Sequence, residues 1–246
     1  MSVRLLGLNF ADLDVAAAAA LIAQQKADAP FRYVVTPNAD HLVRLARRPL
    51  LVRAYEDAWL RLLDSRVVAG AARLLGLAVP CVAPGSDLTA ALLAAHLVAG
   101  ERVTIIGLRP AWLPVLVRRY GLAEVAHYDP PMGFENDPEA FRMAIRFVVA
   151  HPARFIFLAV GSPRQEMLAA AIAATGQASG VGLCIGAGLD FLSGALPRAP
   201  GWMRRSGLEW LHRLASDPRR LARRYLVEDP AVFALLVREW RGVRVA

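Results

Sequence analysis

Cysteine is scarce in this chain of 246 residues, and Cys81 and Cys184 lie far apart with no Cys-X-X-Cys or Cys/His ligand spacing around them. The sequence therefore gives no indication of a disulfide framework or a structural zinc site, and it fits a reducing compartment. Lysine is rarer still, because Lys26 is the only one. Nearly all the basic residues behind the net charge of +8 are arginines, which keep their charge and pair bidentately with phosphate.

Long hydrophobic runs are missing as well. The apolar stretch Val15–Ala23 is about nine residues long, and nothing elsewhere reaches the roughly 18 residues that a membrane span needs. The first residues, Met1–Leu5, lack the layout of a signal peptide. We therefore expect a protein that is made and kept in the cytosol. Its 56% hydrophobic residues and mean hydropathy of +0.38 then require a large core or an amphipathic surface.

Familiar phosphate-binding and metal-binding motifs are also absent. No G-X-G-X-X-G follows a predicted strand, and there is no P-loop. The one Asp-X-Asp sequence, Asp12–Asp14, precedes an alanine-rich helix and is interpreted as a helix cap. The sequence therefore predicts neither a metal nor a cofactor. An enzyme that acts on diphosphates would need arginines and helix N-termini in their place.

What the chain does contain is a regular alternation of apolar strands with helical segments of roughly 10–15 residues. The predicted strands are Phe31–Thr36, Trp59–Leu63, Arg102–Gly107, Ala123–Tyr128, Arg154–Val160 and Gly180–Ile185. This alternation predicts an α/β fold with a mostly parallel sheet that is covered by helices on both faces. Ligands bind such sheets beyond the carboxyl ends of the strands, and the unusual polar residues of this chain cluster there.

Two of these strand ends carry candidate catalytic residues. Thr36 and Asn38 follow the first predicted strand, where they either face a ligand or, for Asn38, cap the next helix. Asp64 follows the apolar run Trp59–Leu63. It is either a partly desolvated general base or a cap for the helix that begins after Arg66, and the sequence favours neither.

Two further strand ends carry candidate anion-binding segments. In Gly161–Glu166, exposed amides at a helix start and Arg164 suit an anionic ligand. A capping box between Ser162 and Gln165 accounts for the same pattern. In Gly186–Asp190, two glycines permit close backbone approach, and Asp190 is placed to bind a base or a ribose.

The sequence pattern changes after about Pro197, where the predicted strands end. Three short helices are expected: Trp202–Leu214, Pro218–Leu226 and Pro230–Trp240. From Trp202 to the end, Arg244 included, ten arginines stand against five acidic residues, a net charge of +5. This tail is a solvated face, a nucleic-acid patch or an interfacial membrane element. Interleaved Trp and Leu favour the membrane, or a subunit contact in a homo-oligomer. We divide the chain into a core, 1–197, and an appendage, 198–246.

Several ordered motifs between about Val34 and Leu226 resemble those of the WecG/TagA/CpsF glycosyltransferases. They are Val35-Thr36-Pro37-Asn38-Ala39-Asp40-His41-Leu42, Gly85-Ser86-Asp87-Leu88, Pro130-Pro131-Met132-Gly133-Phe134, Gly161-Ser162-Pro163-Arg164-Gln165-Glu166, Gly186-Ala187-Gly188-Leu189-Asp190-Phe191-Leu192-Ser193-Gly194 and Arg198-Ala199-Pro200.

The resemblance implies a Rossmann-like core and an inverting, metal-independent transfer of a sugar from a UDP-sugar to a polyprenyl-diphosphate-linked sugar. N-acetylmannosamine, its uronic acid and glucose all fit, and the product would enter an exopolysaccharide. The enzyme would be peripheral to the inner face of the cell membrane. Because no recognised nucleic-acid-binding motif is present in the sequence, nucleic acid is not expected as a partner. The alternative is a non-catalytic nucleotide-binding protein of polysaccharide assembly on the same fold.

The resemblance also implies roles for individual residues. The catalytic carboxylate falls on Asp64, and the remaining catalytic positions fall on Thr36, Asn38 and Gln165. Substrate binding falls on Gly133, Phe134, Ile185, Gly186, Asp190, Arg213, Arg220 and Arg223. Two departures from the family pattern stand out. Ser65 replaces a glycine after Asp64, and the segment Pro80–Pro84 lacks the arginine that usually precedes Gly85.

Overall fold

The computed structural model describes residues 1–243, so Arg244 lies outside the described residues. Its main element is a six-stranded parallel sheet with the strand order β4-β3-β8-β7-β5-β6. The strands are β3 (Arg32–Val35), β4 (Leu60–Arg61), β5 (Arg102–Gly107), β6 (Glu124–Tyr128), β7 (Phe155–Ala159) and β8 (Val181–Cys184). Each lies within a predicted strand, so the predicted α/β fold and parallel sheet are confirmed.

A two-stranded antiparallel hairpin precedes this sheet and was not predicted. It consists of β1 (Ser2–Leu5) and β2 (Leu8–Ala11). Leu6 and Gly7 form the turn, and both have positive φ angles of 49° and 82°. A non-glycine residue in this region is uncommon, and four-residue strands leave little periodicity in the sequence to detect.

Helices connect the strands and cover both faces of the sheet. They are α1 (Val15–Ala23), α2 (Ala39–Arg47), α3 (Val52–Glu56), α4 (Arg66–Leu74), α5 (Gly85–Ala91), α6 (Leu113–Tyr120), α7 (Pro138–Ala150), α8 (Arg164–Thr175), α9 (Gly188–Ser193), α10 (Gly201–Arg205), α11 (Glu209–Ser216), α12 (Pro218–Arg223) and α13 (Ala231–Val243). Short 3-10 turns occupy Pro49–Leu51, Pro110–Trp112 and Phe134–Asn136, and π turns occupy Leu92–His96 and Arg224–Glu228.

Side-chain caps fix the starts of several helices. Asp14 accepts a hydrogen bond from the Ala17 amide at 2.8 Å and caps α1, as expected for the Asp-X-Asp sequence. Asp137 caps α7 by accepting from the amides of Glu139 and Ala140. Each such cap contributes about 1 kcal/mol to helix stability.

The core lies on both faces of the sheet. Consecutive residues of β3 point to opposite faces, so Tyr33 and Val35 pack in one hydrophobic cluster and Val34 packs in the other. Phe157 and Leu158 of β7 divide in the same way. This arrangement explains why the strand sequences are continuously apolar, since a side chain of this size contributes roughly 1.5–3 kcal/mol when fully buried.

The C-terminal helix α13 is part of this core. Val232 and Leu236 are buried in the same cluster as Leu5, and the Glu239 carboxylate accepts a hydrogen bond from the Leu6 amide at 2.6 Å. The other tail helices are short, because Gly207, with a φ of 76°, separates α10 from α11 where one helix was predicted. Within residues 1–243 no helix is long and apolar enough to cross a membrane.

Candidate active site

A cavity of about 770 Å³ opens at the carboxyl edge of the sheet, beyond the ends of β3, β4, β7 and β8, and the tail helices form its other side. Ligands of parallel α/β sheets bind at this position. The structure brings most of the predicted site residues together in its wall. They are Thr36, Asn38, Asp64, Gln165, Ile185, Gly186, Asp190, Arg213 and Arg220.

Three other predicted substrate-binding residues lie outside this wall, as the structure describes it for residues 1–243. The Phe134 ring is buried in the core and stacks on Phe141 with ring centroids 5.9 Å apart. Gly133 precedes it with a φ of 82° and starts the 3-10 turn. The Arg223 side chain is 84% exposed and pairs with Glu228 at 3.0 Å. The role of these three residues in substrate binding stays a prediction.

Asp64 is held in the cavity wall by a hydrogen bond. One carboxylate oxygen accepts a hydrogen bond from the Gly85 amide at 3.1 Å. The interpretation of Asp64 as a helix cap is wrong, because Ser65 caps α4 by accepting from the Val68 amide at 3.1 Å. The serine that replaces the expected glycine therefore starts the helix and leaves the Asp64 carboxylate free to face the cavity.

Burial raises the pKa of Asp64 from 3.8 to about 7. The hydrogen bond from Gly85 and the positive charge of Arg213 oppose this rise, while the negative charges of Glu209 and Asp87 add to it. The carboxyl keeps some access to solvent through the cavity. A carboxylate poised near neutral pH has the proton affinity that a general base requires.

Thr36 and Gly85 pack so closely that only glycine fits at position 85. A Cβ atom on Gly85 would lie 2.7 Å from the Thr36 hydroxyl oxygen. That hydroxyl donates to the Cys184 carbonyl at 3.1 Å, and the Thr89 hydroxyl fixes the Gly85 carbonyl at 2.7 Å. The start of α5 is therefore pressed against the end of β3, which places the Gly85 amide on Asp64.

Asn38 takes the structural role considered for it. Its side-chain oxygen accepts from the His41 amide at 3.3 Å and caps α2. The side chain also lines the cavity, so the predicted catalytic role and the cap are compatible.

The predicted capping box at Ser162 and Gln165 is wrong. The backbone N–H of Gln165 donates to the Gly161 carbonyl at 2.9 Å instead of to the Ser162 hydroxyl. The Ser162 hydroxyl accepts from Arg44 at 2.8 Å and lies 3.3 Å from the Tyr55 hydroxyl. These long-range partners outcompete the local cap, and they leave the Gln165 side chain free for other contacts.

Arginines from the tail surround the cavity. Arg198 donates to the Ser86 hydroxyl at 2.8 Å and to Asp87, and Arg204 contacts the same Asp87 carboxylate at 3.2 Å. Two guanidinium groups therefore share one carboxylate and leave a positive charge beside Gly85. Both arginines contact the first turn of α5, which follows the segment Pro80–Pro84 in the chain.

A second group of charges lies nearer α9. The Arg213 guanidinium lies over the Phe191 ring, 5.5 Å from its centroid. Burial raises the pKa of Asp190, and the positive charges of Arg109 and Arg220 oppose this rise. Arg220 itself is 63% exposed and pairs with Asp217 at 2.6 Å, so its charge remains available to a ligand at the cavity mouth.

A third group of charges ties the tail to α2. Asp40 pairs with Arg44 on its own helix and with Arg224 of the tail, the latter at 3.3 Å. Arg224 also lies 3.8 Å from Asp229. All four side chains line the cavity. Arg224 is 184 positions away from Asp40 in the chain, so no local pattern indicates this contact.

The site combines a carboxyl group of raised pKa, neighbouring hydroxyl and amide groups, and arginines on several sides of one cavity. Within the described part of the chain, no group of three or more His, Cys, Asp or Glu side chains is placed to hold a metal ion. On this fold, such a site defines an α/β enzyme that acts on an anionic ligand.

Comparison with known families agrees with this class. The model of the glycosyl transferase WecG/TagA/CpsF family matches residues 3–245. The chain belongs to this family, as the resemblance of its motifs indicated. It is therefore a glycosyltransferase of cell-surface polysaccharide synthesis, which uses a nucleotide-sugar donor and a sugar acceptor.

Proposed function

We propose that the protein transfers a sugar from a UDP-sugar to a sugar carried on a polyprenyl diphosphate, with inversion at the anomeric carbon and without a metal ion. The transferred sugar is N-acetylmannosamine, its uronic acid or glucose. Both reactants carry a diphosphate, and this agrees with a cavity that has arginines from α2, α10, α11 and α12 in its wall. Arginine suits this task because its planar group matches phosphate oxygens.

The reaction is a single displacement. The Asp64 carboxylate takes the proton of the acceptor hydroxyl as that oxygen bonds to the anomeric carbon. The bond from the anomeric carbon to the UDP oxygen breaks, and UDP leaves with the electron pair. Arg213 and Arg220 stabilise the negative charge that develops on the departing diphosphate. Attack from the face opposite the leaving group inverts the configuration.

One observation carries this proposal: Asp64 faces the cavity with a pKa raised to about 7. A base with this pKa is about half ionised at neutral pH and has a substantial affinity for a proton. The hydrogen bond from Gly85 fixes its orientation, so the carboxylate needs little rearrangement when the acceptor binds.

The test is Asp64→Asn in the full-length protein. We expect turnover to fall by about 10²–10⁴-fold, with UDP affinity within roughly twofold of the original because the amide is isosteric. In the unmodified enzyme, kcat/KM should rise with pH through about 7 as Asp64 ionises, and the variant should lose this rise. Mass spectrometry of products from a panel of UDP-sugars and a short-chain lipid-diphosphate sugar measures the transfer.

Asp28→Asn provides the matched control, since Asp28 is exposed on the surface. Near-normal turnover in the Asp64 variant would remove Asp64 from its role as base.

We further propose that the tail, 198–246, is an appendage to the core, 1–197, and brings the enzyme to the inner face of the cell membrane. Leu226 and Val227 are 59% and 69% exposed, and Trp202 and Phe233 are exposed as well. Leu226 and Phe233 also line the cavity. Exposed apolar side chains among arginines suit the headgroup region of an anionic bilayer, and they would place the cavity mouth where a polyprenyl diphosphate lies.

This proposal needs an intact chain for its test, because truncation at Pro197 would also remove the buried Val232 and Leu236. The double variant Leu226→Ser/Val227→Ser should bind vesicles that contain phosphatidylglycerol roughly 3- to 10-fold more weakly. Leu50→Ser alters a leucine that is 97% exposed and lies outside the cavity wall, and this variant should bind as the original does. Equal sedimentation of all three proteins would refute the membrane role of these residues.

A further inference from the structure

Gln165 and Glu166 form a buried pair at the start of α8. Both side chains are only 1% exposed. The Gln165 side-chain nitrogen donates to a carboxyl oxygen of Glu166 at 2.7 Å. The Gln165 side-chain oxygen accepts from the Gly186 amide at 2.9 Å. Both ends of the Gln165 amide are therefore engaged by the protein itself.

The carboxyl group of Glu166 determines which way the Gln165 amide points. A glutamine side chain has nearly the same shape when its oxygen and nitrogen exchange places, so its partners decide its orientation. The acceptor oxygen of Glu166 draws the amide nitrogen, and this turns the amide oxygen towards Gly186. In the reversed orientation, the N–H of Gly186 would face another N–H.

Burial of the Glu166 carboxyl group is energetically unfavourable. Its second carboxyl oxygen is buried and makes no hydrogen bond within residues 1–243. The nearest basic side chain is His41, 3.8 Å away, and burial lowers the pKa of His41 to about 3, so the imidazole is neutral. Burial also raises the pKa of Glu166, although the hydrogen bond from Gln165, the Ser162 hydroxyl and the positive charge of Arg44 oppose this rise. A buried carboxyl group with one unpaired oxygen destabilises the fold, so its contribution lies elsewhere.

The segment that Gln165 holds is part of the cavity wall. Gly186 has a φ of 55° and lies two residues after the last residue of β8, Cys184. Residues 185–188 line the cavity together with Asp190. The hydrogen bond to Gly186 therefore connects the buried pair to the wall segment to which donor binding was assigned by resemblance.

We propose that Glu166 and Gln165 are positioning residues that hold the turn Ile185–Gly188 in the shape that receives the nucleoside diphosphate of the donor. This inference rests on the proposed function, and it changes the role of Gln165. The resemblance implied a catalytic position for Gln165, whereas here the glutamine acts through Gly186 on the donor side. Glu166, which had no assigned role, sets the orientation of Gln165.

Three variants of the full-length protein test this inference. Gln165→Met keeps the length of the side chain and removes both hydrogen bonds, and Glu166→Ala removes the partner that orients Gln165. Glu166→Gln retains an oxygen that accepts from Gln165. We expect UDP affinity by calorimetry, and KM for the donor, to weaken roughly 10-fold in Gln165→Met and 3- to 10-fold in Glu166→Ala. Glu166→Gln should recover to within about twofold.

A second measurement reports on the turn without any ligand. Exchange of the Gly186 amide, followed by NMR, should accelerate at least about tenfold in Gln165→Met, and less in Glu166→Ala, because that amide loses its fixed acceptor. The rise of kcat/KM through pH 7 should keep its midpoint in both variants, since Asp64 is untouched. Gln24→Met, at an exposed helix end, is the control for the substitution itself.

The two measurements separate failure of the inference from failure of the proposed function. Unchanged Gly186 exchange in Gln165→Met would overturn the inference, as would a fall in kcat with unchanged UDP affinity and donor KM. If the original protein binds no UDP while Gly186 exchange responds as expected, the proposed donor is wrong. The inference that Gln165 and Glu166 position the turn would still be supported. Thermal melting of each variant identifies any loss that comes from unfolding.

Discussion

The carboxyl edge of the sheet and the C-terminal tail both form the cavity, yet they hold their side chains in opposite ways. At the sheet edge, Thr36 and Gln165 are buried and bonded to backbone groups of neighbouring strands and turns. In the tail, Arg204 and Arg220 keep 34% and 63% of their side chains exposed and are held by carboxylates.

This difference indicates a division of labour. Buried hydrogen bonds to backbone atoms fix a side chain, because breaking one leaves an unsatisfied group that costs about 1–3 kcal/mol. Ion pairs at the surface contribute about 0–1 kcal/mol each, so arginines such as Arg220 can exchange a carboxylate for a phosphate at little cost. The edge therefore positions the reacting groups, and the tail supplies charge that adapts to the ligand.

The largest effect that tests this comparison should come from Gly85→Ala. The added Cβ would lie 2.7 Å from the Thr36 hydroxyl, so α5 must shift and carry the Gly85 amide away from Asp64. We expect turnover to fall at least roughly 100-fold, because small displacements at a reacting centre have effects of this size. The loss in the free energy of unfolding should be about 1–3 kcal/mol.

The matched substitution is Gly70→Ala in the middle of α4. A Cβ on Gly70 meets no atom within 4 Å, so the alanine should stabilise the helix by about 0.5–1 kcal/mol and leave turnover unchanged. Steady-state kinetics and urea unfolding measure both variants. If Gly85→Ala is as active as Gly70→Ala, the close packing of Gly85 on Thr36 does not position Asp64 for the reaction.

The contrast between the two regions also explains what the sequence could predict. Strands such as Phe155–Ala159 are covered on both faces and are therefore continuously apolar, which makes them recognisable. Asp64 was placed at the sheet edge because it follows such a run. The α/β fold and most of the cavity wall follow from these local patterns and from the resemblance.

The remaining contacts depend on residues that are distant in the chain. The bond between Arg44 and Ser162 joins positions 118 residues apart, and the pair between Arg198 and Asp87 spans 111 residues. Local capping rules gave the wrong partner for Ser162, because a tertiary contact replaced it. No pattern in the sequence shows that Arg198 and Arg204 share the Asp87 carboxylate.

A smaller effect should come from the tail. Arg213 lies over Phe191 and acts electrostatically on Asp64, so Arg213→Ala should lower kcat by roughly 10- to 100-fold through weaker stabilisation of the departing diphosphate. Raising the salt concentration should weaken UDP binding less in this variant than in the original enzyme.

Arg219→Ala is the control, since Arg219 is exposed on α12 and lies outside the cavity wall that the structure describes for residues 1–243. Its kcat should stay within about twofold of the original. Equal losses in both variants would mean that the tail contributes a diffuse charge, and no single arginine at the cavity would be important for departure of the diphosphate.

The smallest expected effect is on protein stability. It compares how much the functional side chains of the two regions destabilise the fold. The pKa of Asp64 is raised to about 7 in the folded protein from 3.8, so the folded state holds the proton more tightly than the unfolded chain does. Stability contributed by this group is present at low pH and is lost as the pH rises from about 4 to about 7. Asp64→Asn removes this loss, because the amide does not ionise.

The melting temperature of Asp64→Asn should therefore exceed that of the original protein by roughly 2–6 °C at pH 8, with the difference shrinking towards zero near pH 4. The corresponding change in the tail, Arg220→Ala, removes an exposed ion pair and should shift the melting temperature by less than about 2 °C at either pH. A variant that melts below the original at pH 8 would show that Asp64 stabilises the fold in its ionised form. The carboxylate would then be a structural partner of Gly85. The contrast between a fixed sheet edge that lowers stability and an adaptable tail that does not would then be wrong.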